Sequence, residues 1–290
     1  MEKLVSAIIT THNRKELLKR AIDSVFEQTY PNLELIVVDD ASDDGTKDIC
    51  VDKRINYIFI PKEESRGGNY ARNLGIKASQ GNYCAFLDDD DYWLPSKIEK
   101  QVSLMEKMDC ELVHCGRRFE IVFNDEVEYK NTLPDPNHWG DMHKKILFTS
   151  QTAPTSCFFI KRQALLDIGM FDEDLKFWQD YELTIRLAQR KPFYFVNEPL
   201  TVMRVNRFDS QRLSNKYFEW KKSAAYIYNK HSNLYNKLNL FEKYKVKNVY
   251  WKSAKIRSKK CGLLSHFLFY SFMYLPYSII GKINKSLHKQ

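Results

Sequence analysis

Hydrophobic positions in the first half of the chain fall into short unbroken runs alternating with segments of helical spacing. Leu4 to Thr10 is β-branched with almost no polar alternation, the pattern of a strand covered on both faces. Leu17, Leu18, Ala21, Ile22, Val25 and Phe26 then recur at helical intervals, and Asn13 with Glu16 predicts a capping box at the start of that helix. Tyr30-Pro31-Asn32 reads as a turn. Leu33 to Val38 predicts a second buried strand ending at Asp39 and Asp40, and Ile55 to Ile60 a third, stopped by Pro61, with a short helix over Thr46 to Val51 between them. Gly67-Gly68 opens a helix that runs through Ala78. Asn82 to Leu87 predicts the fourth strand, and Pro95 begins a helical pattern with Ile98, Val102 and Met105 on one face. Strands alternating with helices predict a mostly parallel sheet with right-handed crossovers.

The second half is less regular. Glu111 to Cys115 and Ser156 to Ile160 predict strands, Phe119 to Tyr129 a hairpin, and Gln163 to Ile168 a short helix ended by Gly169. Gln179 to Gln189 predicts a helix with Leu183 and Leu187 inward. Phe193 to Val196 and Leu200 to Val205 predict two further strands. Beyond them the composition changes. Residues 216–260 are rich in Lys, Tyr and Asn and predict amphipathic helices. Leu263 to Ile280 is nearly continuous apolar and aromatic, interrupted by Ser265, His266, Ser271, Pro276 and Ser278.

Charge sharpens this division. The 290-residue chain has a net charge of +8, but residues 211–290 hold 17 Lys or Arg against Glu219 and Glu242, so the remainder is acidic. A basic tail on an acidic body points to an anionic partner, either nucleic acid or a membrane surface. The apolar stretch directly after the basic run Lys243 to Lys260 favours lipid. The stretch is expected to form a helical hairpin or a helix lying in the membrane interface, with a true span and a helix packing on the protein as the alternatives. With 43% hydrophobic residues the chain can bury a core, which excludes a largely disordered protein. The six cysteines contain no CxxC pair, and Cys110, His114 and Cys115 lack zinc spacing, so reduced thiols are expected. No long apolar run opens the chain, so no signal peptide is expected.

Candidate chemistry gathers at the predicted strand ends: Thr10 to Arg14, Asp39-Asp40, and the run Asp88 to Asp91. In parallel α/β sheets ligands bind at the carboxyl ends of the strands, so these three groups together imply a nucleotide-type pocket. Four adjacent carboxylates beside a packed core are costly without a cation, and oxygen-only ligands favour Mg²⁺ or Mn²⁺. On a loose loop the same run would be a solvated charge cluster.

The stretches VSAIITTHNR, LELIVVDDASDDGT, GGNYARNLGIKASQGNYCAFLDDDDYWLP and GMFDEDLKFWQDYELTIRL follow the order and spacing of family 2 glycosyltransferases, which they resemble over roughly residues 4–205. The resemblance implies an inverting enzyme with the GT-A fold, a mixed Rossmann-like α/β sheet, carrying here a helical C-terminal extension. It implies a catalytic domain over 1–210, with a nucleotide-binding half over 1–95 and an acceptor half over 96–210; the charge and apolar pattern, not the resemblance, make residues 211–290 a basic, helical, membrane-associated tail.

The resemblance also implies roles. Thr10, His12 and Arg14 would meet the base and phosphates of a UDP-sugar, and Asp39 the uracil ring N–H. The family commonly has Pro and Tyr where Thr11 and His12 stand here. Gly67 and Gly68 would let the backbone approach the ligand closely, and Arg72 would lie near the pyrophosphate or the base. Asp88, Asp89 and Asp90 match the Asp-x-Asp motif, with Asp90 in direct contact with Mn²⁺ or Mg²⁺, Asp88 and Asp89 on the metal or the ribose, and Asp88 and Asp90 together as the metal pair. Asp91 would be an outer carboxylate or an anion at the helix start. Asp180 matches the catalytic base, with Gln179 replacing the usual preceding Glu. Arg204 or Arg207 would close over the diphosphate. Trp178 would either stack on a sugar or pack in the core, and Glu173 and Asp174 are expected to form a solvated turn. The acceptor implied is a saccharide linked to polyprenyl diphosphate at the cytoplasmic membrane face, in surface-polysaccharide synthesis, and nucleic acid is not expected as a partner. A non-catalytic nucleotide-sugar-binding protein of the same fold is the alternative.

Overall fold

The computed structural model describes residues 2–123, 126–149, 153–206 and 216–274. Arg207 and the end of the apolar tail stretch, 275–280, lie outside the described residues. The chain divides into two compact units. The first comprises Met1–His143, Gln151–Asp174 and Gln179–Phe208; the second comprises Lys144–Ser150, Leu175–Trp178 and Asp209–Gln290.

The first unit is built on one mixed sheet. Strands β1 (Val5–Thr11), β2 (Leu33–Asp40), β3 (Ile55–Ile60) and β4 (Tyr83–Asp88) pair in parallel in the order β3-β2-β1-β4. Their crossovers carry helices α1 (Lys15–Phe26), α2 (Thr46–Ile49) and α3 (Gly68–Ala78). The apolar runs read as doubly covered strands are indeed buried, with Val5, Ala7, Ile9, Ile36, Val37 and Ala85 at 0% exposure. The helical periodicity is equally direct: Leu18, Ala21, Ile22 and Val25 are the buried face of α1. Helix α3 lies so close to β1 that a Cβ on Gly75 would stand 2.5 Å from Ile8 Cγ2. Only glycine permits that approach.

Beyond β4 the sheet departs from the parallel pattern. After β5 (Asp91–Trp93) and α4 (Lys97–Lys107) come β6 (Leu112–Phe123), β7 (Glu126–Thr132), β8 (Phe159–Lys161), α5 (Arg162–Asp167), α6 (Gln179–Ala188) and β9 (Phe193–Asn206). The sheet continues β4-β8-β6-β9-β5, with β7 paired on β6. Strand β8 is antiparallel to β4 and β6, β9 is parallel to β6, and β5 is antiparallel to β9. β6 and β7 form the hairpin anticipated over 119–129, with longer arms. The two strands expected over 193–205 are one continuous strand. Pro199 is accommodated by register shifts opposite Cys115, Gly116 and Arg117, so it does not end the pairing.

Two local expectations are corrected. Asn13 does not cap α1. It adopts φ +52°, accepts the Asp43 N–H, and leaves the helix entry to Asp44, whose carboxylate accepts the Lys15 N–H at 2.9 Å. Asp91 is not a helix-start anion either: it opens β5, is 2% exposed and pairs with Met203.

The second unit is helical, with α7 (Tyr217–Lys230), α8 (Ser232–Asn236) and α9 (Leu240–Lys260), followed by helical residues 264–274. Asn239 and Glu242 form a reciprocal capping box on α9. The unit's core is aromatic: Phe177, Tyr217, Trp220 and Tyr270 are buried with Ala224 and Ala254. Trp178 stands edge-on to Trp220 at 5.2 Å. Among the described residues no helix is long and apolar enough to cross a membrane.

Candidate active site

The sheet register assembles the site. At its carboxyl edge β1 is flanked on both sides, Thr11 by Asp39 of β2 and Thr10 by Asp88 of β4. Two residues of β1 therefore lie between the acidic ends of both neighbours. The loops leaving this edge hold Asn13 and Ala41 at φ +52° and +64°. Such backbone is sparsely populated by residues other than glycine and clusters where the chain is held for function.

Each aspartate of the run has a different partner. Asp88 accepts from the Arg72 guanidinium at 2.5 Å, and its backbone N–H donates to Ser156 Oγ. Asp89 is buried; Thr11 Oγ1 donates to one of its oxygens at 2.9 Å and Arg14 to the other at 3.0 Å. Arg14 also reaches Asp90 at 3.2 Å. Asp91 accepts from Ser156 Oγ at 2.6 Å. Burial pushes the Asp89 carboxyl up to about 6, against the pull of Arg14. Burial, with the adjacent charges of Asp90 and Asp88, raises Asp91 well above the usual carboxylate range.

Asp88 and Asp90 keep the most open side chains of the four, at 35% and 39% exposure against 7% for Asp89. Among the described residues no three His, Cys, Asp or Glu side chains converge on a closed metal cage. Two accessible carboxylates do suit Mg²⁺ or Mn²⁺, which are held by one or two carboxylates together with substrate phosphates and water. The donor set thus fits a hard divalent cation completed by a diphosphate.

Arg72 is 8% exposed and lies over the Phe171 ring at 5.7 Å. A Cβ on Gly68 would stand 3.2 Å from its Nη1, so the glycine leaves room for this guanidinium. His12 is exposed, and its Nδ1 donates to the Asp40 carbonyl at 2.5 Å. That bond fixes the ring orientation. Asp39 is 1% exposed, and accepts from Ser42 N–H and from the Tyr57 hydroxyl at 2.6 Å. Arg204 lies one position beyond Met203, the partner of Asp91, and approaches Glu120 at 3.6 Å.

Asp180 belongs to the same unit as the aspartate run. It is buried in the first turn of α6, where Oδ1 accepts the Tyr181 N–H at 2.7 Å. The preceding chain is fixed to α3. Asn73 exchanges two hydrogen bonds with the backbone of Phe171 at 2.9 Å, and Asn69 donates to the Asp172 carbonyl at 2.8 Å. Glu173 is exposed, but it also accepts from Asn73, so the turn is tied down on one side. Within α6, the fully buried Glu182 takes a two-pronged ion pair from Arg186, whose Nη1 donates to the Ile168 carbonyl.

Sequence reasoning did not single out Asn69, Asn73, Ser156 or Glu182, and it noted Thr11 only within the Thr10 to Arg14 group and as a departure from the family's usual Pro. The asparagines carried a signal, a polar i, i+4 pair on a helix otherwise facing the sheet. Ser156 carried none, since only the fold brings it beside Asp88 and Asp91.

Residues 6–169 match the family model described as glycosyl transferase family 2. The chain belongs to that family. An uncharacterized glycosyltransferase of Rickettsia prowazekii is 33% identical to this family 2 chain over 207 residues, which is 70% of the chain and 64% of that protein. The Escherichia coli UDP-Glc:alpha-D-GlcNAc-diphosphoundecaprenol beta-1,3-glucosyltransferase WfaP is 43% identical over 107 residues, 36% of this chain and 42% of that protein. The chain thus spans less than two thirds of these relatives. Among solved structures, the mannosyltransferase PcManGT from Pyrobaculum calidifontis, in complex with GDP-Man and Mn²⁺, superposes with a TM-score of 0.62 at 16% identity, covering 100% of this chain and 81% of that one. Staphylococcus aureus TarS 1–349 gives 0.57 at 18%, covering 95% and 91%. These likenesses agree on the GT-A fold expected from the resemblance.

Proposed function

We propose that this family 2 chain is an inverting glycosyltransferase. In this reading it moves a hexose (glucose, galactose or an N-acetyl form) from a UDP-sugar to a sugar hydroxyl. The acceptor is a saccharide on polyprenyl diphosphate, the product a β linkage, and the pathway surface-polysaccharide synthesis at the inner membrane face. The observation that carries the reading is the strand-end cluster in which Arg72 and Arg14 hold Asp88, Asp89 and Asp90 beside the end of β1. Support for the donor and acceptor class comes from the likeness to WfaP, whose name specifies UDP-Glc and a diphosphoundecaprenol-linked acceptor.

The chemistry divides between two groups of residues. Asp88 and Asp90 would hold a divalent cation, which supplies Lewis-acid compensation of charge on the departing diphosphate. Arg72 and Arg14 are positioned to exchange carboxylate contacts for phosphate oxygens, since a guanidinium binds either planar acceptor. Thr10 and His12, at and just beyond the end of β1, would meet the donor's base and phosphates, the imidazole stacking on the base. Asp180 takes the proton of the acceptor hydroxyl as the sugar develops oxocarbenium character. Arg204 closes from the β9 side.

A panel of UDP-sugars, with and without Mn²⁺, on a synthetic lipid-diphosphate-GlcNAc acceptor tests the reading. Metal-dependent transfer that Asp180→Asn abolishes, with UDP still bound, is the expected result. Transfer that survives Asp180→Asn refutes the assignment of the base. UDP binding without transfer to any acceptor favours the non-catalytic alternative.

A further inference from the structure

Residues 264–274 of the second unit form a helix whose amphipathic sense is inverted. Leu264, Leu268, Phe269 and Phe272 are 67%, 58%, 56% and 74% exposed. At 3.6 residues per turn these four positions occupy one continuous arc of about 140°. The opposite side is pinned to the protein: Tyr270 is buried, its hydroxyl accepts from Tyr217 at 3.3 Å, and its ring meets Tyr250 at 6.1 Å. The outward direction of the four large apolar side chains is therefore set by packing within the unit.

Ammonium groups border this face. The Lys255 and Lys259 ammonium groups lie 5.6 and 6.0 Å from the Phe267 ring, on the helix that carries the exposed stripe. Helix α9 holds seven Lys and one Arg against Glu242 alone. An apolar aromatic stripe bordered by ammonium groups matches a bilayer interface with anionic headgroups. A second copy of the chain meeting the first through this face would bring like charges together, because a two-fold contact places the same patch on both sides.

We infer that the stripe Leu264, Leu268, Phe269 and Phe272, with Lys255 and Lys259 at its border, is the surface by which the second unit docks on an anionic membrane. The inference rests on the lipid-linked acceptor in the proposed function. It adds which face meets the lipid and with which side chains, and makes the helix an in-plane anchor.

The test is flotation of the full chain with vesicles of phosphatidylcholine alone and of phosphatidylcholine with phosphatidylglycerol. The unaltered protein is expected to float with the anionic vesicles and to be released by salt. Leu268→Ser/Phe272→Ser is expected to lower the bound fraction at least about tenfold, since binding scales with the apolar area buried. Lys255→Glu/Lys259→Glu should abolish the preference for phosphatidylglycerol. Leu240→Ser removes a side chain that is 87% exposed at the other end of α9 and should leave flotation unchanged. Leu264→Lys, at a position already open to water, gives a second variant that preserves packing, and a circular-dichroism melt confirms that each variant is folded.

Flotation unaltered by the stripe variants overturns the inference. So does an unaltered protein that light scattering finds dimeric and that the stripe variants render monomeric, because the stripe is then the contact between copies. Turnover on a water-soluble acceptor separates this inference from the activity. Stripe variants that lose flotation but keep soluble turnover support the docking surface. Flotation through the stripe with no turnover on any UDP-sugar leaves the surface standing and removes the transferase reading.

Discussion

Replacing Ser156 by alanine removes one oxygen atom and leaves two groups at the aspartate run without a partner. The hydroxyl accepts the Asp88 N–H at 3.1 Å and donates to Asp91 Oδ2 at 2.6 Å. Ser156 is 0% and Asp91 2% exposed, so solvent does not take over. A buried polar group left unsatisfied costs about 1–3 kcal/mol, more when charged, which puts the loss for the pair at about 2–5 kcal/mol. Urea denaturation of the full chain measures it, read on the transition of the first unit. The same substitution frees the Asp88 backbone, and in the proposed reading Asp88 would hold the cation and face the diphosphate. At about 1.4 kcal/mol per tenfold in rate, kcat/KM for the UDP-sugar is expected to fall by on the order of ten- to a hundredfold. A Ser156→Ala protein within about 0.5 kcal/mol of the parent, with unchanged turnover, would refute the view that this hydroxyl ties the run to the core.

Three more outcomes are expected. Lys97 is fully buried above the Trp93 ring at 4.0 Å, and burial lowers its ammonium to about 8. The protonated form is thus penalised by about 3 kcal/mol below pH 8, a penalty that fades as pH rises toward 10.5, the ordinary lysine value. Lys97→Met should be the more stable protein in urea at pH 7, by less than that figure because the ring contact goes too, with the advantage shrinking by pH 10; a pH-independent difference contradicts the burial argument. Removal of divalent metal by EDTA should stop turnover and Mn²⁺ restore it, with Asp90→Asn raising the metal concentration needed, as a metal titration of rate would read. Arg72→Met strips Asp88 of its guanidinium and should raise KM for the UDP-sugar more than about tenfold, of the size of a lost charge-assisted pair; an unchanged KM in steady-state kinetics would remove Arg72 from the donor site.

The linear sequence by itself determined the first half of this protein. Strands that are apolar at every position and helices with a single apolar face leave one solution, a parallel layer with helices across it. The ends of such strands are fixed by where the apolar run stops, so Thr10, Asp39 and Asp88 could be placed at one edge in advance. Asp180 was marked as a candidate by the family likeness, and the tail as basic by its charge. What the tertiary structure alone decided depends on contacts between residues far apart in the chain. Ser156 lies 65 positions from Asp91, which it binds, and Asn73 lies 98 from Phe171. No local pattern encodes such pairs. A strand as short as β5, three residues long, is below the length at which periodicity speaks. The cap on α1 went to Asp44, not Asn13, because a carboxylate from a neighbouring loop reached the Lys15 amide. The outward face of residues 264–274 is likewise a matter of packing: an apolar run says that something must cover it, and only the seating of Tyr270 says which side is left open.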